Sequence, residues 1–214
     1  MTAFSTLQQQ ISRLSGGRLR KTIHTTRPVE VLPNPDLSTE LMSFRPLVRS
    51  DRAVFLDVFE RSRRAIEPWI PIEQSGEQFF ESLILKGVEG DEQNSAWRRA
   101  AFLNDGRLLG MFNLIKIERG LCWSAEANWW IDSALTGLGL GTHAIRAMVD
   151  HALDDIPVGF GLHTLRADIC PDNHASIRVA EKLGFHATGE REPLEINGRL
   201  VDHEVLVADL ANRS

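Results

Sequence analysis

Three glycines at alternate positions, Gly137, Gly139 and Gly141, sit between an aromatic run (Asn128 to Asp132) and an amphipathic run that starts near Thr142. Removing three Cβ atoms lets a bulky anion approach the main chain, and the unpaired N–H groups of a helix start attract it. The pattern predicts a strand, a glycine turn and a helix whose buried face is Leu140, Ala144, Ile145, Met148, Val149, Ala152 and Leu153. Two nucleotide motifs fail here. A P-loop needs Lys and then Ser or Thr after its last glycine, where this chain has Thr142-His143. The turn is G-x-G-x-G, not G-x-G-x-x-G, with no acidic residue about 20 positions on at a strand end. Taken alone, the glycines serve either a phosphate group or only a tight turn.

The second half of the chain reads TLRADICPDNHASIRVAEKLGFHATGE from Thr164. A strand over Leu165 to Cys170 leads through Pro171-Asp172-Asn173 into a short helix ending at Gly184-Phe185. With the glycine turn, the series Asn173, Ser176 and Glu181-Lys182-Leu183-Gly184-Phe185 resembles the GNAT superfamily of acetyl-CoA-dependent N-acetyltransferases, over roughly Phe44 to Leu210. Within it, the chain is similar to the branch acting on ribosomal-protein N-termini. The resemblance implies a single α/β domain: a mixed, mostly antiparallel sheet with a splayed central strand pair and helices on both faces. It implies acetyl-CoA as co-substrate, with a primary amine as acceptor, a protein N-terminal α-amine of the ribosomal type or else a small amine, amino acid or antibiotic. Leu138, Gly139, Leu140, Gly141 and Thr142 would hold the diphosphate through their N–H groups. Trp130 and Ile131 would pair with the pantetheine arm through their main chain, one N–H polarising the thioester carbonyl. Asn173 would contact the arm, Ser176 would protonate the departing thiolate, and Trp69 would stand beside the acceptor.

A glutamate in or near the closing hairpin would act as base. Counting from Asn173 favours Glu195, with Glu192 the other carboxylate in that region and Glu126, just before the buried part of the strand that feeds the glycine turn, a third candidate. Each also reads as a solvated strand-edge charge, Ser176 as a first-turn hydroxyl, and Trp69 as a loop anchor. Thr136 stands where the family has Arg or Gln, and the absence of Tyr removes the phenolic acid many relatives use. A CoA-binding module without catalysis remains the non-enzymatic alternative. Cys170, at the end of the strand beside the arm, invites an acetyl-cysteine step but has no evident base nearby, and reads better as a small core residue.

The elements that position these residues alternate in period. Leu41 to Leu47 reads as a first strand, with Ser50-Asp51 as a helix cap. Val54, Phe55, Val58 and Phe59 give one helix its apolar face, the prolines of Ile66 to Pro71 break it, and Phe79, Phe80, Leu83 and Ile84 mark a second helix. Ala100 to Leu103 and Leu108 to Ile117 form a hairpin through Asn104-Asp105-Gly106, and Trp123 to Ile131 returns to feed the glycine turn. Phe185 to Glu192 and Val201 to Ala208 make the last hairpin, turning at Asn197-Gly198.

At 214 residues and 43% hydrophobic content the chain fits one α/β domain, residues 38–214, with an N-terminal extension over 1–37. That extension carries Arg13, Arg18, Arg20, Lys21 and Arg27 before its first acid, a charge of +5 that leaves −10 for the remainder of a chain of net −5. It reads as a flexible appendage, with a transit peptide or an RNA-contacting arm as alternatives. An acidic body either favours cationic partners over nucleic acid or serves solubility alone. No apolar run approaches the roughly 18 residues of a membrane span, and no signal-peptide core precedes the domain, so a cytoplasmic protein is expected. Two cysteines exclude a disulfide framework, and scattered histidines (His143, His151, His174, His203) predict no metal site. Whether the chain forms a homodimer is left open.

Overall fold

The computed structural model describes residues 37–72 and 75–210; the basic extension expected over 1–37 lies almost wholly outside them. Eight strands form one sheet: β1 (Leu37–Ser38), β2 (Met42–Arg45), β3 (Trp97–Leu103), β4 (Leu108–Glu118), β5 (Ser124–Ile131), β6 (Thr164–Ile169), β7 (His186–Ile196) and β8 (Arg199–Asp209). Four α-helices accompany it among the described residues: α1 (Arg52–Ile66), α2 (Gly76–Gln93), α3 (Leu140–Leu153) and α4 (His174–Lys182). The order across the sheet is β1-β2-β3-β4-β5-β6-β8-β7. Neighbours are antiparallel except β5 and β6, which run parallel and are joined by α3, as a parallel pair requires a crossover.

Strand alternation sorts the core into two layers. Phe112, Leu114, Ala125, Ala127, Leu165 and Ala167 pack with Ala144, Ile145, Met148 and Ala180 of α3 and α4. Ala100, Phe102, Leu108, Met111 and Trp130 pack with Phe55, Phe59, Phe80 and Leu83 of α1 and α2. The sheet therefore lies between two helical layers, as the resemblance implied. An edge-to-face contact of Phe55 with Trp130, centroids 6.0 Å apart, seats α1 on β5. Helix α2 opens with a capping box in which Ser75 Oγ accepts from Gln78 N at 3.3 Å and Gln78 Oε1 accepts from Ser75 N at 3.2 Å.

Three local expectations change. The first strand is only Met42–Arg45, because Pro46 ends the ladder, and the two-residue β1 beside it is too short to leave a periodic signal. Asp51 does not cap α1 with its side chain. Its carboxylate takes Arg45 Nη1 and Nη2 at 2.7 and 2.8 Å and Val48 N at 2.9 Å, closing the turn before the helix. Strand β7 continues past Glu192 to Ile196, through Pro193. A proline is tolerated there because β7 is the sheet's edge, where a missing N–H breaks no second ladder.

Candidate active site

Parallel pairing of β5 with β6 stops early. The partners are Ser124 with Thr164, Ala125 with Leu165 and Glu126 with Arg166. Beyond them β5 stays paired to β4 as far as Ile131, and β6 to β8 as far as Ile169. The two strands thus part into a fork between Ala127–Ile131 and Ala167–Ile169. Asp132 N donates to Leu109 O at 2.8 Å on the β4 side, and Trp123 O accepts from His163 N at 2.7 Å on the β6 side. Main-chain groups alternate along a strand, so those of Asn128 and Trp130 face β4, while those of Ala127, Trp129 and Ile131 face the fork. Of the two residues expected to pair with the arm, Ile131 keeps that orientation. Trp130 does not, because its N–H and C=O point to β4; Trp129 takes that place.

The open end of the fork leads into a cleft of about 520 Å³ lined by Trp129, Trp130 and Ile131, by Thr136, Gly137, Gly139, Gly141 and Thr142 at the turn, and by residues of α4. Gly137 and Gly139 hold φ of +76° and +78°, and a Cβ on either would meet no atom within 4 Å. Left-handed backbone without crowding leaves the N–H groups of the first turn of α3 open to an anion. Gly141 differs: its Cβ would lie 2.2 Å from Ile131 Cδ1, the movable end of that side chain, so glycine lets α3 start against β5 without displacing Ile131. No acidic residue occupies the first turn of α3, and Arg178 and Lys182 of α4 line the same cleft. Neither cation was expected at the cleft, although Lys182 belongs to the series that carries the resemblance, because a helical Arg and Lys look like any solvated face. The donor set suits a diphosphate, and the fork suits an extended amide-bearing arm. Thr136 Oγ1 donates to Ser133 O at 2.9 Å, so in the turn this hydroxyl serves the backbone.

Asn173 and Ser176 meet at the start of α4. Asn173 Oδ1 accepts from Ser176 N at 3.2 Å, capping the helix and leaving its amide nitrogen as a donor. Both residues line the cleft. Trp69 lines its opposite wall with Ile66 and Ile70. The turn of the last hairpin is tied to that wall, since Asn197 Oδ1 accepts from Ile72 N at 3.1 Å and Asn197 Nδ2 donates to Glu67 O at 2.9 Å. Asn197→Gly retains the left-handed turn (φ 50° at Asn197) and deletes both bonds. It is expected to lower stability by about 1–2 kcal/mol and to speed amide exchange over 67–72, while acetyl-CoA affinity stays unchanged; hydrogen exchange and calorimetry check the two halves.

The hairpin carboxylates are not gathered at the cleft. Glu195 is exposed on β7 opposite Leu200. Glu192 Oε2 accepts from Arg166 Nη2 at 3.2 Å, and Arg166 Nε donates to Asp168 Oδ1 at 2.7 Å. Glu126 pairs with Lys116 Nζ at 2.7 Å. Cys170 is buried, and His203 Nδ1 donates to Val201 O at 2.8 Å. Among the described residues no group of His, Cys, Asp or Glu gathers to hold a metal ion, and no helix is long and apolar enough to cross a membrane.

One buttress was invisible in the sequence. Asp132, at the end of β5, accepts from Arg61 Nε at 2.8 Å and Nη2 at 2.6 Å and from Ala134 N at 3.0 Å, and Ser133 N donates to Ser62 Oγ at 2.9 Å. Helix α1 is bolted to the strand end that enters the glycine turn. Burial pushes the Asp132 carboxyl up, but hydrogen bonds from Arg61 and Ala134 N, the Arg61 charge and Ser62 together hold it below the usual range.

Residues 42–186 match the family described as acetyltransferase (GNAT) domain, and the chain belongs to that family. It is similar to the probable N-acetyltransferase YjcK of Bacillus subtilis (strain 168), 39% identical over 104 residues covering 48% of this chain and 55% of the relative. It is also similar to the putative ribosomal N-acetyltransferase YdaF of the same organism, 30% identical over 129 residues, covering 55% of this chain and 66% of the relative. The matches therefore span between half and two thirds of the lengths of these curated relatives. Among solved structures, Mycobacterium smegmatis RimJ in complex with CoA-disulfide superposes with a TM-score of 0.72 at 22% identity, covering 85% of this chain and 90% of that one.

Proposed function

We propose that the chain transfers an acetyl group from acetyl-CoA to a primary amine by direct attack, without a covalent enzyme intermediate, and that the amine is the N-terminal α-amine of a protein of the ribosomal type. The observation that carries the reading is the fork between β5 and β6 opening onto the uncapped N-terminus of α3. In this reading the N–H groups of Leu138 through Thr142, with Arg178 and Lys182, hold the diphosphate. Main-chain groups of Trp129 and Ile131 bond the arm, and one N–H from this edge polarises the thioester carbonyl, worth on the order of 3 kcal/mol in the transition state. Asn173 donates to the arm, and Ser176 passes a proton to the leaving sulfur. Trp69 shapes the acceptor side. The named function of YdaF supports the ribosomal acceptor.

Thiol release from acetyl-CoA, followed with a free N-terminal peptide, tests the reading. Ser176→Ala is expected to lower kcat by about tenfold or more, with acetyl-CoA affinity retained. Glu192→Gln and Glu195→Gln assay the hairpin carboxylates: a fall of roughly 100-fold in either assigns it the proton-accepting role, and unchanged rates in both remove the pair from the mechanism. Acetyl-CoA binding with no turnover on any amine would instead favour the non-catalytic module.

A further inference from the structure

On the sheet face that elsewhere carries α1 and α2, two polar side chains, Asn128 exposed and Asp168 largely covered, flank the fork just past the point where pairing ends. Asn128 is two residues beyond Glu126 on β5, and Asp168 two residues beyond Arg166 on β6. Alternation puts both on the face opposite α3, since Ala127 and Ala167 pack into the α3 layer. The Asp168 side chain is 11% exposed. Its Oδ1 is held by Arg166 Nε at 2.7 Å, and its Oδ2 has no hydrogen-bond donor among the described residues. Asn128 Oδ1 accepts from Asn113 Nδ2 at 2.8 Å. With the amide in this orientation its other polar group is an NH₂ donor.

We propose that this pair is the acceptor subsite: Asp168 Oδ2 receives the substrate ammonium and Asn128 Nδ2 donates to the carbonyl beside it. The inference rests on the transferase reading above and names the acceptor class, an α-aminoacyl end in which ammonium and carbonyl sit on adjacent carbons. A polyamine offers the first group and not the second. An α-amine with an ordinary pKa near 7.7–8.0 is mostly ammonium at neutral pH and has no lone pair to attack with. One N–H proton passes to Asp168, directly or through a water, and the freed lone pair forms the C–N bond at the thioester carbon. The C–S bond breaks, the sulfur takes the second nitrogen proton by way of Ser176, and Asp168 returns its proton to solvent. The charged and titratable groups that share this face include Arg98 on β3, in one cross-strand row with Asn113 and Asn128, Arg166 on β6, Glu126 on β5, Lys116 and Glu118 on β4, Glu192 on β7, and His203 and Arg199 on β8.

The test measures kcat/KM and acetyl-CoA affinity for the wild type, Asp168→Asn and Asn128→Ala, with a free N-terminal tetrapeptide and with spermidine. Asp168→Asn is expected to lose roughly 100-fold in kcat/KM on the peptide, with a rate that climbs with pH as the amine loses its own proton. Asn128→Ala is expected to raise KM for the peptide about tenfold and to leave spermidine unaffected, and both variants keep wild-type acetyl-CoA affinity. Peptide turnover by Asp168→Asn within twofold of wild type, equal effects of Asn128→Ala on both acceptors, a wild-type preference for spermidine, or loss of acetyl-CoA affinity in either variant would overturn the subsite and leave transfer itself standing. Wild-type protein that binds acetyl-CoA and acetylates neither amine would remove the transferase reading, and the subsite with it.

Discussion

Replacing Gly139 with valine is expected to weaken acetyl-CoA binding by at least about tenfold while the protein stays folded. The residue is the N-cap of α3 at φ +78°, where an L side chain costs about 1–2 kcal/mol, and every 1.4 kcal/mol is tenfold in affinity. Because a Cβ there meets no atom within 4 Å, the strain is not compounded by a clash in the free protein. Its relief turns the first N–H groups of the helix away from the diphosphate, and the side chain enters the space that group would fill. Gly106→Val is the control. It carries the same kind of strain (φ +85°, open surroundings) in the turn between β3 and β4, so it should lower stability without changing acetyl-CoA affinity. Calorimetric titration of both variants separates a cradle from a mere turn.

The second large effect falls on the buttress. Asp132→Asn leaves the fold of the turn in place but removes the carboxylate that Arg61 grips with two nitrogens from a position only 2% exposed. Charge-assisted bonds of this kind are worth about 1.5–3 kcal/mol, and it is the carboxylate side of the pair that is buried, Arg61 being 39% exposed. A loss of about 3 kcal/mol, on the order of 6–12 °C in Tm, is expected at neutral pH. The pH dependence follows from the direction of the shift. The folded carboxyl is held below its ordinary value, so its contribution is complete above about pH 4 and is lost as the pH falls through the lower folded value. The gap in Tm between wild type and variant should therefore shrink below about pH 4. A constant gap down to strongly acidic pH would show that the ion pair contributes nothing and that packing alone is at stake.

Much of this arrangement could be read ahead of the coordinates, and the reasons differ by element. Long periodic segments such as α3 and β4 announce themselves, and Asn197-Gly198 and Asp105-Gly106 turn where their left-handed preferences require. The fork came from resemblance, because no local pattern tells a strand where its partner leaves it. The strand of residues 164–169 did contain an unused signal: its alternation sets Leu165, Ala167 and Ile169 against Thr164, Arg166 and Asp168, and the polar set faces away from the α3 layer. Contacts between distant segments left no trace at all. Arg61 and Asp132 are 71 residues apart, and either alone is an ordinary charge. The hairpin glutamates came from the resemblance and the order between them from counting, which carries no information on surroundings: Glu195 is exposed and Glu192 is engaged by Arg166. Even the glycines divide by cause: two for backbone sign, one for the approach of Ile131.

Residue-resolved amide exchange with and without saturating acetyl-CoA bears most directly on the claim that the thioester arm lies between the parted strands. The amides of Trp129 and Ile131, which face the fork, should gain strong protection on binding, while that of Trp130, already directed at β4, changes little. Saturated binding that leaves Trp129 and Ile131 exchanging as in the free protein would contradict it.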